Sequence, residues 1–293
     1  MPLVCKKQYP DPRGYFVKAD SKGHQFQSSK ELSIIDERCL LVFDIHQNQV
    51  WLERILERES KAVDRLILGG DFFDPYPGEP HVSVKTMCRR LDALAAEWCE
   101  RLTLLLGNHD VHYLVPDPLD SSGLHPYLQN LVQSPVPRAS RWSGSSQQQV
   151  RRYFSEKLWR RARLFQVVNG WLVSHAGFSP DFWPESDSVD ESLQKLDEQG
   201  REFFVRFPHA HLEFCRAGEA RDETAVGTGG PFWQDFEDEF SDELPLPQLF
   251  GHSRPRDGQP DARKKGRSWC LDGGHSCYGI LEKDGSLAID RVV

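Results

Sequence analysis

The stretch LLLGNHD, residues 104–110, carries a buried strand directly into a polar turn. Three consecutive leucines favour a strand that is covered on both faces of a sheet. The chain then continues into Gly107, Asn108, His109 and Asp110, and the last three are polar residues that an apolar core excludes. In α/β sheets, ligand sites form where loops leave the carboxyl ends of strands. The stretch therefore predicts a core strand that ends at a functional site.

Short apolar runs that end on polar or turn residues occur five times along the chain. They are CLLVF before Asp44, RLILGG before Asp71, LTLLL before Gly107, GWLVS before His175 and PQLF before Gly251. Apolar residues keep helical spacing between these runs, most clearly from Val84 to Trp98. Ser188 and Glu191 predict a capping box at the start of a further helix, and the last segment predicts a hairpin that turns at Asp284. This order of elements predicts an α/β fold of layered sheets and helices.

The chain length is close to the upper limit for one hydrophobic core, at 293 residues. We expect a single domain over residues 1–293. Prolines and polar runs such as SGSSQQQ interrupt the strand and helix pattern, which predicts inserted loop or helical regions at about 111–165 and 181–231.

Composition excludes several functional classes. No apolar run is long enough for a transmembrane helix. The first residues, MPLVCKKQYPDPRGYF, carry prolines and charges where a signal peptide has an apolar stretch, so we expect a cytoplasmic protein. The seven cysteines are scattered without CxxC spacing, which predicts reduced thiols. A formal net charge of −8 argues against stable nucleic-acid binding.

One segment, residues 254–267, is locally basic. Its cationic residues are Arg254, Arg256, Arg263, Lys264, Lys265 and Arg267. A charge run of this kind is either a solvated loop or a groove for an anionic substrate, and the sequence favours neither interpretation.

The polar residues that follow the five strands form a set of possible metal ligands. They are Asp44, His46, Asp71, Asn108, His175 and His252. Taken singly, each is as well explained by a turn or a helix cap. Together they offer carboxylate, amide and imidazole groups without thiolate, which suits Mn, Fe, Zn, Ni or Mg ions, of which we expect Mn. Six ligands exceed the number that one ion takes from a protein. We therefore expect two divalent ions that share Asp71, with a metal-bound hydroxide that attacks a phosphate ester.

The ordered motifs DIH (44–46), GDFFD (70–74), GNHD (107–110), HAG (175–177) and GHS (251–253) resemble the calcineurin-like metallophosphoesterase family. The resemblance implies a β-sandwich of mixed sheets flanked by helices. The segments GGPFWQDF (229–236) and LDGGHSCYGIL (271–281) are similar to the branch of Ser/Thr phosphoprotein phosphatases and symmetrical diadenosine tetraphosphatases.

The resemblance also implies a role for each residue of the set. The first metal site consists of Asp44, His46 and Asp71, and the second of Asp71, Asn108, His175 and His252. His109 is then the general acid that protonates the leaving group, with Asp74 orienting its ring. The other interpretation of Asp74 is a turn residue before Pro75. The resemblance assigns no role to Asp110.

Two departures from the family pattern bear on the substrate. Many members end the last motif as Gly-His-x-His, whereas this chain has Ser253-Arg254. Arginine forks two bonds onto a phosphate, so Arg254 is predicted to bind substrate while the first ion keeps a water. The phosphoprotein phosphatase branch carries arginines where this chain has Pro75 and Leu106, so protein phosphatase activity does not transfer directly.

These observations predict a metal-dependent phosphoesterase. The first expectation is a phosphomonoesterase that acts on a small molecule, a nucleotide or a phosphoprotein. A phosphodiesterase or dinucleoside polyphosphate hydrolase is the alternative, and a non-catalytic partner-binding module is a more distant one. Of the remaining residues, Trp233 is either a substrate-lining aromatic residue or, as we favour, a core residue. The acidic run 235–245 is predicted on the solvated surface. His275 is given little weight as a residue that approaches the site from the last strands.

Overall fold

The computed structural model describes residues 37–114, 136–207, 210–257 and 261–292. The 36 N-terminal residues lie outside the described residues. They contain the segment from which the sequence analysis argues against a signal peptide. Residues 115–135 and 208–209 of the predicted inserted regions and residues 258–260 of the basic segment also lie outside the described residues. No helix within the described ranges has the length and apolar character that a bilayer span requires.

The first sheet contains six strands in the order β11-β10-β1-β2-β3-β4. Their bounds are β1 (Cys39–Val42), β2 (Arg65–Leu68), β3 (Leu102–Leu105), β4 (Ala162–Arg163), β10 (Cys277–Leu281) and β11 (Leu287–Arg291). The pairs β1·β2, β2·β3 and β3·β4 are parallel, whereas β10 is antiparallel to both of its neighbours. The predicted hairpin is confirmed as β10 and β11. The parallel pairing brings the carboxyl ends of β1, β2 and β3 to one edge.

The second sheet contains five strands in the order β5-β6-β7-β9-β8. Their bounds are β5 (Phe165–Val168), β6 (Trp171–Ser174), β7 (Gln248–Phe250), β8 (Arg263–Lys265) and β9 (Ser268–Cys270). β6, β7 and β9 run parallel, and β5 and β8 are antiparallel edges. The predicted strands before His175 and Gly251 are therefore adjacent, as β6 and β7.

The two sheets pack face to face over an apolar layer. Leu41, Ile67 and Leu105 of the first sheet share one buried cluster with Val173 and Leu249 of the second. Successive strand residues point to opposite faces. Their immediate neighbours therefore face outward, where residues such as Leu40, Leu66 and Leu104 join the cluster formed with the helices. This two-sided burial explains why the strands read as continuous apolar runs.

Helices cover the outer faces of the sandwich. Their bounds are α1 (Gln49–Glu59), α2 (Val84–Glu97), α3 (Asn108–Leu114), α4 (Gly144–Tyr153), α5 (Glu156–Trp159) and α6 (Val189–Arg206). The apolar stripe of α2 is buried as predicted, and the Ser188 side chain caps α6 by accepting from the Glu191 amide at 3.2 Å. The α/β prediction, two mixed sheets flanked by helices, is confirmed.

The predicted inserted regions contain regular structure where they are described. α4 and α5 lie within the first region, and α6 lies within the second. β4, near the end of the first region, pairs with β3 and so extends the first sheet. The six cysteines of the described residues are free thiols.

Candidate metal centre

The polar residues that follow β1, β2, β3, β6 and β7 come together at one edge of the sandwich. Among the described residues, three groups of Asp and His side chains have ligand atoms within 4.8 Å of one another, and two of these groups contain the predicted ligands. The first cluster is Asp44, His46 and Asp71, and the second cluster is Asp71, His175 and His252, to which Asn108 adds its side-chain oxygen. Asp71 is thus common to both clusters. All six ligands predicted from the sequence lie at this site.

His46 and His175 each direct one ring nitrogen at Asp71. His46 Nδ1 lies 2.9 Å from the carbonyl oxygen of Phe73, and His175 Nδ1 lies 2.8 Å from that of Gly69. A carbonyl only accepts, so each Nδ1 carries a proton, and Nε2 is the ring nitrogen that faces the cluster. These Nε2 atoms lie 3.5 Å from the two oxygens of Asp71. Two imidazole nitrogens beside one carboxylate form a donor set that fits a divalent cation.

Asn108 lies between the two histidines of the second cluster. Its Oδ1 lies 3.2 Å from His175 Nε2 and 3.0 Å from His252 Nδ1. Turning the amide by 180° would let its nitrogen donate to the same two rings and to Asp71 at 3.0–3.3 Å. The side chain can therefore donate to these groups or turn its oxygen towards a cation bound between them. Among the described residues, His252 Nε2 is buried without a hydrogen-bond partner.

Burial and mutual repulsion make the centre electrostatically demanding. Burial, followed by the charges of Asp272 and Asp71, raises the pKa of Asp44 well above its usual value. Burial also opposes ionisation of Asp71, but the neighbouring histidines, His175 first, hold the pKa of that carboxyl below its usual value. Burial lowers the pKa of His46 to about 3. A bound divalent cation would balance the charge of these neighbouring carboxyl groups, and neutral imidazole is the form of histidine that binds a metal ion.

The backbone is strained where these side chains are presented. Asp44, His46, Asp71, Asp74 and His252 have φ between +44° and +69°, the left-handed region that non-glycine residues rarely adopt. Such conformations cost on the order of 1–3 kcal/mol each and persist only when surrounding structure enforces them. Their concentration at one site indicates that function, rather than stability, determines the backbone here.

Glycines allow the loops to approach the clusters. A methyl group at Gly107 would overlap Asp71 Oδ1, and one at Gly251 would overlap Asp44 Oδ2. Both residues immediately precede predicted ligands, Asn108 and His252. The close approach explains why glycine occupies each position.

Asp110, for which the sequence offered no role, connects the loops of the second and third motifs. It is fully buried, and its carboxylate accepts from the backbone amides of Gly107, Asp71 and Phe72, each at 2.8 Å. These contacts fix the Asp71 loop against the loop that carries Asn108. The sequence signal was only a polar residue in the first turn of α3, which is also typical of an ordinary helix start.

His109 and Asp74 lie together beside the clusters. His109 Nδ1 is 2.8 Å from Asp74 Oδ2, the pairing that the resemblance implied. Asp74 also accepts from the Tyr113 hydroxyl and lies 3.1 Å from His112 Nε2. Burial lowers the pKa of His109, but the carboxylates of Asp71 and Asp74 outweigh that effect and raise it overall. Cations bound at Asp71 would offset part of this field.

A cleft of about 490 Å³ opens over the clusters. Arg254 lines it, with its guanidinium carbon 4.5 Å from the centroid of the Tyr76 ring and half of its side chain exposed. Trp233 also lines it, although only 8% exposed, so this residue is both buried and part of the cleft. Sequence reasoning missed two further lining residues, Arg141 and Arg221, because each lies in a predicted inserted region without a local motif.

The basic segment divides between its two interpretations. Arg254 and Arg256 line the cleft, as an anion-binding groove requires. Arg263 and Lys265 lie over the Phe236 ring. The exposed Arg267 pairs with Asp242. The segment is therefore a groove at its start and a surface strand and turn at its end.

The prediction that residues 235–245 form a solvated surface segment is wrong for its first part. Asp235, Phe236 and Phe240 are buried. The two rings pack in an apolar cluster of their own, and Asp235 pairs with Arg221 at 2.9 Å and Arg256 at 3.0 Å. The partners lie 14 and 21 residues away in the chain, so the acidic run alone gave no sign of them.

His275, to which the sequence gave little weight, supports the first cluster from behind. Its Nε2 lies 2.9 Å from the backbone oxygen of Asp44, and its Nδ1 contacts Glu79 and Asn48. Its side chain is 5% exposed. This residue fixes the loop that carries Asp44 and His46 without pointing into the clusters.

Comparisons with known proteins agree with this geometry. The family model of the calcineurin-like phosphoesterases matches residues 42–253, which is most of the chain. Comparison with curated proteins gave no significant sequence match.

This chain is similar to several solved structures, and those with a TM-score above 0.5 share its fold. A cold-active protein tyrosine phosphatase is 15% identical, with a TM-score of 0.54 over 86% of this chain and 78% of that chain. A second structure of a cold-active protein-tyrosine phosphatase, from a psychrophilic Shewanella species, is 15% identical, with a TM-score of 0.51 over 89% and 84%. A protein serine/threonine phosphatase from Saccharomyces cerevisiae is 12% identical, with a TM-score of 0.45 over 88% and 81%. With the family model matched from β1 to the start of the basic segment, this chain belongs to the calcineurin-like phosphoesterase family.

Proposed function

We propose that this chain is a metal-dependent phosphomonoesterase with a dinuclear centre, contained in a single metallophosphoesterase domain. The observation that carries the proposal is Asp71, a buried carboxylate whose two oxygens face histidine nitrogens of two different clusters at 3.5 Å. A carboxylate in that position would be shared by two divalent ions when they are bound. We expect Mn²⁺ to support activity, with Fe, Zn, Ni or Mg as other candidates, because the donor set contains no thiolate.

Bound ions would supply positive charge to the phosphoryl oxygens and lower the pKa of a coordinated water. Asp44 and His46 would hold the first ion, and Asn108, His175 and His252 the second. The six ligands come from five strand ends, so the rigid sandwich sets the distance between the two ions.

His109 is proposed to act on the leaving group. Its Nδ1 is held by Asp74, so its other ring nitrogen is free to carry a proton to the departing alkoxide. Its backbone amide donates to Asp71 Oδ1 at 2.9 Å, which fixes the residue relative to the bridging carboxylate. Asp74 orients the imidazole and stabilises its protonated form.

The substrate is proposed to be a phosphorylated molecule whose phosphoryl group enters the cleft beside Arg254. Among the described residues, four arginines line this cleft: Arg141, Arg221, Arg254 and Arg256. We propose that arginines of this set, Arg254 among them, take the place of those that the family branch carries at positions occupied here by Pro75 and Leu106.

The proposal is tested by reconstituting chelator-treated protein with each divalent ion and measuring metal content and turnover. We expect two ions per chain and faster hydrolysis of p-nitrophenyl phosphate than of bis-p-nitrophenyl phosphate. A preference for the diester would assign the chain as a phosphodiesterase. If the reconstituted protein bound no metal and hydrolysed neither compound, the result would contradict the proposal and favour a partner-binding module.

A further inference from the structure

The cleft contains two pairs of arginines that differ in how their charge is balanced. Arg221 and Arg256 both pair with the buried carboxylate of Asp235, and Arg256 also pairs with Asp238. Their positive charge is largely neutralised within the protein. Arg221 also donates to the hydroxyl of Ser253, next to His252, at 3.2 Å, so the pair lies at the end of the cleft near His252.

The other pair, Arg141 and Arg254, lies close to the Tyr76 ring. The guanidinium carbons are 5.4 Å and 4.5 Å from the centroid of the same ring. In the described part of the chain, the hydrogen bonds of Arg141 go to the carbonyl oxygens of Pro75, at 2.9 Å, and Asp74, at 3.4 Å. Carbonyl groups orient a guanidinium without neutralising it.

Arg254 is also only weakly balanced. Its Nη2 lies 3.6 Å from Glu79 Oε1, beyond hydrogen-bond distance, and the other oxygen of Glu79 contacts His275. Both Arg141 and Arg254 are exposed to the cleft. Two exposed guanidinium groups with little internal compensation are suited to bind an anion.

The position of the pair relates it to the reacting phosphoryl group. The Tyr76 ring is 4.2 Å from the His46 ring, and His46 is 5.1 Å from His109. The arginines therefore border the first cluster and the residue proposed to protonate the leaving group. An anion held between them would belong to the leaving-group side of the substrate.

We propose that Arg141 and Arg254 form a binding site for a second phosphate group of the substrate. Resting on the function proposed above, the inference narrows the substrate to small molecules that carry a second phosphate close to the scissile one. The planar forks of two arginines match the several oxygens of a phosphate better than a single carboxylate. Both guanidinium groups lie within 5.4 Å of the centroid of the Tyr76 ring, close enough together for one phosphate group to contact both.

The test compares the binding of methylenediphosphonate with that of methylphosphonate to the Mn²⁺-loaded protein by calorimetry. The wild-type protein should prefer the diphosphonate. Arg141→Gln and Arg254→Gln should each lower the ratio of the two affinities about tenfold, the size expected for a lost charge-assisted hydrogen bond. Arg256→Gln, which removes a cleft arginine that is already balanced by two carboxylates, should lower the ratio much less.

Each other outcome has a defined meaning. A ratio that is unchanged in Arg141→Gln and Arg254→Gln, or an equal loss in Arg256→Gln, would overturn the second-phosphate site. If Arg141→Gln and Arg254→Gln weakened the binding of an acidic phosphopeptide as much as that of methylenediphosphonate, the pair would be assigned to a protein substrate. That result would overturn the small-molecule class. Turnover of p-nitrophenyl phosphate by the wild-type protein, measured in parallel, separates these failures from a failure of the proposed phosphatase function.

Discussion

The first and second clusters share Asp71 but differ in every other ligand. The first cluster adds one more carboxylate, Asp44, and one imidazole. The second cluster adds two imidazoles and the amide oxygen of Asn108. The second cluster therefore offers one more protein ligand than the first. We expect the two proposed ions to differ, with the first held more weakly and exchanging more readily with solvent.

The side chains that surround the two clusters also differ. Arg254, in place of the second histidine of the family motif, lies beside the first cluster and faces the cleft. The second cluster lies against the buried Trp233, whose ring is 6.1 Å from that of His252. At the position where the family motif has a metal ligand, the first cluster thus has the cationic side chain of Arg254, which can bind substrate.

The largest expected effect comes from the residue that belongs to both clusters. Asp71→Asn removes the charge that two ions share, so both should be lost and turnover of p-nitrophenyl phosphate should fall at least about a thousandfold, to background. Metal analysis of the purified variant, alongside its thermal melting to show that it folds, provides the measurement. A variant that keeps two ions and its activity would rule out the bridging role.

His109 belongs to neither cluster and serves as the contrast to Asp71. His109→Asn should leave both ions bound but lower kcat about 10²- to 10⁴-fold, because proton transfer to the leaving group is lost. The loss should be greatest for alkyl phosphates, whose leaving groups need protonation most, and smaller for p-nitrophenyl phosphate. Equal losses for the two substrate types would count against the acid role.

Arg254→His tests the difference between the clusters directly. The substitution restores the Gly-His-x-His pattern and should add a ligand to the first cluster, which we expect to tighten binding of the weaker ion about tenfold. The same substitution removes a phosphate contact, so KM should rise. Metal titration followed by steady-state kinetics separates the two effects, and Arg254→Gln is the control that removes the contact without adding a ligand. If both variants bind metal equally, position 254 does not complete the first cluster.

The smallest expected effect concerns the support of Asp74. Tyr113→Phe deletes one hydroxyl donor to that carboxylate and leaves the metal ligands unchanged. A net hydrogen bond is worth about 1 kcal/mol, so kcat for alkyl phosphates should fall about fivefold, with little change in KM or metal content. A uniform decrease for all substrates, including p-nitrophenyl phosphate, would indicate a structural effect instead.

The strands and the residues at their ends could be predicted because both signals are local. An apolar run such as LTLLL favours a strand, and the polar residues after five such runs indicate a site as a set, although each alone is explained by a turn or a cap. The parallel order of β1, β2 and β3 then brings the carboxyl ends of these strands together. The parallel pair β6 and β7 of the second sheet adds His175 and His252 to the same site.

The residues that sequence reasoning missed depend on contacts made across long stretches of chain. Asp110 connects two loops because the backbone amides of residues 71 and 72 donate to its carboxylate. Asp235 is buried together with the charges of two arginines that are distant in the sequence. Arg141 follows a proline-containing region with no periodicity, and nothing in its immediate sequence relates it to Tyr76. Charge balance of this kind is a property of the folded chain rather than of a motif.

The left-handed backbone of the site residues has an evolutionary consequence. Glycine adopts such φ values without strain, so replacing Asp44 or His46 by glycine would relieve backbone strain even as it removed a predicted ligand. Selection for stability alone would then drive these positions towards glycine, and selection for activity would oppose it. Stabilising changes in this protein are therefore expected to accumulate in the strands and helices, and a screen that rewards thermal tolerance without an activity requirement should erode the metal centre first.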